Sequence, residues 1–331
     1  MKNTMHAIHV ESDSEHTLTW RETTRPEPEP DQVLIEVRAA GVNRADLSQR
    51  RGAYPPPPGA SPTLGLECAG VVAAVGDTVT RLEVGDDVFA LLTGGGYAEY
   101  TTAHEGTVEL LPDGLNYTEG AAVAEVYATA YLNLFVEAGL KPGDWALIHA
   151  GASGVGTASL QLCRALGVHA IATASTGKQQ VLRDLGAHPI DRLAEDFLPR
   201  VKELTGGRGV DVILDPVGAD YLERNVDALS AYGRLVIIGL MGGRAAELNL
   251  GRLMVKRLRV IGSVLRARPD EEKAALFDRM REEVWPMLTD GTLEPIIHAT
   301  YPIANAQAAH EVMARNENTG KLILVRERGE R

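Results

Sequence analysis

The run Ala146-Leu147-Ile148-His149-Ala150-Gly151-Ala152-Ser153-Gly154-Val155-Gly156 decides the fold. Its apolar start reads as a strand buried on both faces, its closely spaced glycines as a turn, and the residues beyond as a helix. In that order the three form a corner that holds the phosphates of a dinucleotide. Gly151 is expected to allow the tight turn, Gly154 to let a pyrophosphate approach the backbone, and Gly156 to permit close helix-to-strand packing. Unpaired amides where the helix opens, through Val155, would grip the phosphates. Val155, Ala158, Leu162, Ala165 and Leu166 then recur at helical spacing, which predicts one apolar face for the sheet, with Cys163 packing beside it.

Strands and helices alternate outward from this corner. Compact apolar runs at Trp145 to Ala150, His169 to Ala174, Val210 to Leu214, Leu235 to Gly239 and Leu258 to Gly262 predict a parallel sheet with helices in the intervals. An apolar helical stretch runs from Val123 to about Gly139 before it. After it, Pro269-Asp270-Glu271-Glu272 opens a helix whose Phe277, Met280, Val284 and Leu288 share a face. The first third is different, with short β-rich runs such as Gln32 to Val37 and Gly70 to Val75 broken by turn residues. Arg25 to Pro30 reads as extended, and Tyr54-Pro55-Pro56-Pro57-Pro58-Gly59 as a stiff surface loop, because successive prolines remove backbone donors. Leu322 to Val325 is a strand without a following helix, so the chain returns to the β region at its end. The predicted architecture is α/β: a doubly wound parallel sheet over residues 127–269, inserted in a mostly β domain made of 1–126 and 270–331.

The second strand tells which dinucleotide. An acidic residue about 20 positions beyond the glycines would hold a ribose 2′-hydroxyl and mark NAD. Here the strand ends in Thr173-Ala174-Ser175-Thr176-Gly177-Lys178, whose Ser175 and Lys178 offer hydroxyl and ammonium groups to a 2′-phosphate. NADPH is therefore expected, although Lys178 also reads as a solvated lysine in a first helical turn.

Composition narrows the class. With 331 residues, 44% of them hydrophobic, the chain can bury two cores. A formal net charge of −12 opposes nucleic acid and anionic membrane as partners. Cys68 and Cys163 are too far apart for a paired metal motif and read as reduced packing thiols. With no secretory signal evident, a cytoplasmic location is expected. The mixed-charge tail is expected to fray.

Six stretches carry a resemblance over nearly the whole chain: Ala40-Gly41-Val42-Asn43-Arg44-Ala45-Asp46-Leu47, Arg51-Gly52-Ala53-Tyr54-Pro55, Leu64-Gly65-Leu66-Glu67-Cys68-Ala69-Gly70, Val84-Gly85-Asp86-Asp87-Val88, Gly94-Gly95-Gly96-Tyr97-Ala98-Glu99-Tyr100 and the glycine turn. In type and order they resemble the medium-chain dehydrogenase/reductase superfamily, and within it the zinc-independent quinone oxidoreductases that include the zeta-crystallins. The resemblance implies a Rossmann domain inserted in a GroES-like domain. It also implies no zinc: the alcohol dehydrogenases of the superfamily carry Gly-His-Glu where this chain has Gly65-Leu66-Glu67, and a cysteine near Asn43. Without a Lewis acid, a conjugated carbonyl is an easier acceptor than a simple alcohol is a donor.

The resemblance further places Asn43, Tyr54 and Thr129 near the nicotinamide and Ser153 where it touches phosphate or nicotinamide, Thr129 in a run Ala124-Glu125-Val126-Tyr127-Ala128-Thr129-Ala130 whose Ala124 replaces the family's proline. Glu125 reads equally as a solvated carboxylate. Val217, Gly239-Leu240-Met241-Gly242, Ser263-Val264-Leu265 and Asn318 resemble the group's cofactor-contacting turns, Asn318 reading equally as a plain turn residue. Arg192 stands near a tyrosine that approaches the 2′-phosphate in many relatives; it either replaces that contact or faces solvent. The expected activity is hydride or electron transfer from NADPH to a quinone or related conjugated carbonyl, with the oxygen protonated by solvent or Tyr54. An enoyl or alkenal reductase and an NADPH-binding protein of little turnover are the alternatives. The partners expected are small molecules and a second copy, the edge strand Leu258 to Gly262 pairing in a homodimer.

Overall fold

The computed structural model describes residues 3–326; the first two residues and the rest of the charged tail lie outside them. Contacts divide the chain into two compact units, Met1–Ala128 with Leu265–Arg331, and Thr129–Val264.

The first unit begins with a hairpin of β1 (Thr4–Val10) and β2 (Leu18–Thr24), followed by β3 (Gln32–Val42), β4 (Glu67–Val75), β5 (Asp87–Leu91), β6 (Tyr100–His104) and β7 (Val108–Leu110). The second unit contributes β8 (Trp145–Ile148), β9 (His169–Ala174), β10 (His188–Asp191), β11 (Val210–Asp215), β12 (Leu229–Ile237) and β13 (Arg259–Gly262). The chain then returns to the first unit as β14 (Ile297–Pro302) and β15 (Lys321–Val325).

In the first unit the sheet order is β14-β15-β3-β4-β5-β7, with β6 also on β3. Val33, Ile35, Val37, Cys68, Val88 and Leu324 meet in its core. Register decides what comes together near the middle of this sheet. Leu322 opposes Val42 and Cys68 opposes Ala40, both antiparallel, so Lys321 and Glu67 are brought beside Asn43 from two different strands.

In the second unit the parallel order is β10-β9-β8-β11-β12-β13, around a core of Leu147, Ile171, Ile213, Val226 and Leu235. The reversal of direction on either side of β8 is that of a doubly wound sheet, with its ligand edge at the carboxyl ends of the strands. β10 was not expected from the sequence, because Pro189 argues against a strand. As an edge strand it tolerates the missing donor. β13 lies at the other edge, as its position last in the alternation implied.

Three helices differ from expectation. Helix Gly154–Ala165 does not bury a single stripe. Thr157, Ser159, Leu160, Gln161 and Cys163 are buried, while Val155, Ala165 and Leu166 are only half-buried, so its middle is enclosed on more than one side. The stretch from Val123 is α-helical over Ala124–Tyr131 and widens to a π-helix over Leu132–Glu137, where the Asn133 amide donates to the Thr129 carbonyl at 2.7 Å. The helix opening at Asp270 stops at Glu283 and resumes as Trp285–Thr289. Pro286 forces the interruption, yet Phe277, Met280, Val284 and Leu288 are all buried as their spacing predicts.

Candidate active site

The glycine turn of the second unit is built for close approach. A Cβ on Gly156 would lie 2.4 Å from the Ala150 carbonyl oxygen and 2.6 Å from the Gly151 carbonyl carbon, so the helix start can sit on the turn only with glycine there. The tight-turn role expected of Gly151 belongs to its neighbour: Ala150 takes the left-handed conformation, φ 52°. Gly151 instead clears space, since a Cβ there would lie 2.7 Å from that of Ala172. The Ser153 hydroxyl caps the helix, accepting from the Gly156 N–H at 3.1 Å and keeping its own proton to donate. As the first residues of the helix, Gly154 and Val155 have amides without an intrahelical acceptor.

Behind that turn the strand ends are braced by a buried chain of side chains. Asp215 accepts from the Val217 and Gly218 amides at 2.6 and 3.1 Å and from the Asn225 amide at 3.0 Å. Asn225 therefore turns its oxygen to His149 Nε2, 2.8 Å away, and His149 Nδ1 lies 3.1 Å from the Thr173 hydroxyl. These partners put the imidazole proton on Nε2. Burial pushes this histidine down to about 4, so it stays neutral. The network links β8, β9 and β11 at their carboxyl ends; sequence reading missed it because Asn225 is 76 positions from His149. The turns after β11 and β12 are joined as well, Met241 and Gly242 donating to the carbonyls of Pro216 and Val217 at 3.2 and 2.7 Å. Gly239 packs on Pro216, and Leu240, Met241 and Val264 are exposed. The Ser263 hydroxyl oxygen is buried without a partner among the described residues.

Ser175, Lys178 and Arg192 come together at two adjacent strand ends. Asp191 pairs with Ala174 across β10 and β9, and the Arg192 amide donates to the Ala174 carbonyl at 3.0 Å. The same register delivers a carboxylate that the sequence did not forecast. Asp191 bonds the Thr176 side chain and accepts from the Leu193 amide at 3.0 Å, and these bonds hold its carboxyl below the usual range. Arg192 is exposed.

In the first unit the candidate residues are enclosed rather than open. Glu67 is 0% and Lys321 3% exposed at the side chain, and they form an ion pair at 2.5 Å. The Lys321 ammonium also donates to the Val42 carbonyl at 2.9 Å and to Asn43 Oδ1 at 2.8 Å, which uses all three of its donors. Asn43 Nδ2 donates to Glu67 Oε1 at 2.9 Å, and the Glu125 amide to Glu67 Oε2 at 2.9 Å. Asn43 thus keeps one side-chain N–H that these bonds do not use. Lys321 is the residue that sequence reading passed over, although its place beside Asn43 follows from strand pairing.

A second buried chain lies next to it. Asp46 accepts from the Asn43 amide at 2.7 Å, the Gly65 amide at 3.1 Å and the Tyr97 hydroxyl at 3.0 Å, while His310 Nε2 lies 3.1 Å from Tyr97. Burial pushes the Asp46 carboxyl up to about 6 against the pull of those donors, and pushes His310 down to about 3. Tyr54 is half-buried, its ring 5.4 Å from the Arg266 guanidinium. Burial, then Glu125, raise its phenol above the ordinary value, so it remains protonated at neutral pH. Thr129 is buried in the second unit, Leu265 in the first, and Asn318, also in the first, donates to the Gly320 carbonyl at 2.8 Å. Both cysteines are buried free thiols, Cys163 pushed up to about 12.

Comparison with known proteins fits each unit. Residues 29–113 match the family model described as alcohol dehydrogenase GroES-like domain, and residues 154–282 that described as zinc-binding dehydrogenase. A quinone oxidoreductase from Sus scrofa is 36% identical over 304 residues, 91% of either chain. Among solved structures, a mycobacterial protein complexed with NADPH is 30% identical with a TM-score of 0.86, over 97% of this chain and 99% of that one. The CurK enoyl reductase is 28% identical with a TM-score of 0.86, over 98% and 100%.

Proposed function

Since the chain belongs to the medium-chain dehydrogenase/reductase superfamily, in its quinone oxidoreductase family, we propose that it is an NADPH-dependent enzyme reducing a quinone or related conjugated carbonyl. The observation that carries this reading is kinship to a quinone oxidoreductase along 91% of both chains. The residues fit the cofactor: two free amides at Gly154 and Val155, and a glycine at 156 that lets the helix start close on the turn. When bound, NADPH supplies the hydride.

The chain's own part is binding, orientation and proton supply. In this reading Gly151, Ser153, Gly154, Val155 and Gly156 seat the pyrophosphate, and Ser175, Lys178 and Arg192 the 2′-phosphate. Val217, the 239–242 turn, Ser263, Val264, Leu265 and Asn318 line the remaining contact. Asn43 presents its remaining N–H and Tyr54 its phenol proton to the acceptor oxygen, and Thr129 is assigned to the nicotinamide. We assign residues 1–126 and 270–331 to the acceptor and 127–269 to the cofactor.

The reaction we propose needs no zinc. Leu66 offers no lone pair, Asn43 is a neutral amide, and the Glu67 carboxylate is satisfied by Lys321, Asn43 and the Glu125 amide. Two subunits are proposed to join at β13, an edge strand near the exposed Leu250, Met254, Val255 and Val260. The reduced thiols agree with the cytosol. No helix among the described residues is long and apolar enough to cross a membrane.

Oxidation of NADPH and of NADH, followed separately against ortho-quinones, para-quinones and alkenals with a chelator control, tests the reading. Turnover of quinones with NADPH, unmoved by chelator, is expected. A preference for NADH or a loss of activity with chelator overturns the corresponding part. Turnover confined to alkenals selects the enoyl reductase reading that the CurK structure favours, and binding of NADPH with no turnover selects the low-turnover one.

A further inference from the structure

Arg266 is 5% exposed, and its terminal nitrogens Nη1 and Nη2 are buried with no hydrogen-bond partner. Only Nε is engaged, donating to the Thr93 carbonyl at 2.8 Å. A guanidinium has five N–H donors and stays charged, so four donors of a buried cation go unanswered among the described residues. Buried donors of this kind are the exception in folded proteins and call for an acceptor.

The side chain lines a cleft of about 600 Å³ in the first unit. The other charged residues around that cleft are answered from within the protein. Lys273 meets Asp270 at 2.9 Å, and Arg268 meets Glu272 at 3.1 Å. Asp46 and Glu125 act on Arg266 only through space. Arg266 is thus the cation lining the cleft whose terminal nitrogens meet no hydrogen-bond acceptor among the described residues. Thr93 fixes its position, since the carbonyl that receives Arg266 belongs to the residue whose hydroxyl receives Lys273 at 3.1 Å. On its other side the guanidinium faces the Tyr54 ring.

Resting on the oxidoreductase reading, we propose that the cleft is an anion subsite in which the Arg266 fork takes a carboxylate carried by the acceptor. The enzyme then prefers conjugated carbonyls that bear an acidic group. Two parallel N–H donors match the two oxygens of a carboxylate.

The test is binding, which needs no turnover. Wild type, Arg266→Met and Arg266→Lys are titrated by calorimetry with 2-naphthoate and with uncharged 2-naphthalenemethanol, and NADPH affinity is followed by fluorescence. The naphthoate is expected to bind wild type about tenfold more tightly than the alcohol, a ratio that a charge-assisted pair supports. R266M abolishes that ratio, and R266K, which keeps the charge without the fork, lowers it. Equal binding of the two probes to wild type overturns the proposal. So does a ratio that survives R266M, or that R266K leaves unchanged if R266M does not fold. A fall in NADPH affinity with the ratio intact assigns Arg266 to the cofactor and overturns it too. Should naphthoate be discriminated by an enzyme that turns over no quinone or alkenal, the reaction fails and the subsite stands.

Discussion

The glycine turn of the second unit and the Asn43–Glu67–Lys321 cluster of the first are both dense in polar groups, and they treat them in opposite ways. At the turn, Gly154 and Val155 keep donors that nothing in the helix can satisfy. In the cluster, three ammonium protons and both oxygens of a buried carboxylate are matched inside the protein. The difference teaches how to read a site: unanswered donors mark where a ligand belongs, whereas a closed network marks what holds the surrounding residues still.

The sharpest way to break the comparison is to open the closed side. Lys321→Met leaves the Glu67 carboxylate buried without its cation, a change that costs about 3–5 kcal/mol in comparable sites. Urea unfolding of the holoprotein should show that loss, and Lys321→Met with Glu67→Gln should recover much of it. If K321M unfolds like wild type, the pair is not what holds Asn43, and the contrast with the glycine turn disappears.

The second unit has its own closed network, and pH tests it. The His149 imidazole is held neutral down to about 4, whereas in the unfolded chain it titrates near 6.5. Between those values only the unfolded state takes up the proton. The stabilisation is therefore complete above pH 6.5 and falls by about 3 kcal/mol as pH drops toward 4. His149→Gln removes the titrating group, so urea unfolding of that variant should be flatter than wild type by one proton over this window. An identical pH slope in both proteins would show that the imidazole is not the group that resists protonation.

These two networks also mark the limit of what the sequence discloses. The doubly wound sheet and the glycine turn were legible because their signals are local: an apolar run, glycines at fixed offsets, and a helix beyond. The β domain and its closing strand were legible in outline. Lys321 beside Asn43 and Asn225 beside His149 were not, because each contact is made by strands or helices far apart in the chain, and its register depends on the packed fold. Ala150 in a left-handed conformation escaped for another reason, since propensity assigns that geometry to glycine and tertiary packing overrode it.

On the open side, Gly156→Ala places a methyl group against the Ala150 and Gly151 backbone at distances no real Cβ keeps. The helix start must move, and overpacking of about 1–3 kcal/mol falls on the amides proposed to grip phosphate. NADPH affinity by fluorescence titration should drop about thirtyfold, with a smaller change in the unfolding midpoint. A variant that binds NADPH normally while unfolding earlier would mean that the free amides are not the grip.

The smallest effects are expected at the adenosine corner, where answered and unanswered charge lie side by side. Arg192 is exposed at the end of β10, while Asp191 next to it is bonded to Thr176. Arg192→Ala should lower the ratio of NADPH to NADH affinity about fivefold, because one charge-assisted contact to the 2′-phosphate is lost in a solvated setting. Asp191→Asn keeps an acceptor for Thr176 and removes a negative charge near the same phosphate, so the ratio should rise about twofold to threefold. Movement in opposite directions would show that the corner is tuned by a balance of the two. If both substitutions lower the ratio, Asp191 acts through its bond to Thr176, shaping the turn that presents Ser175 and Lys178, and charge is not what this carboxylate contributes.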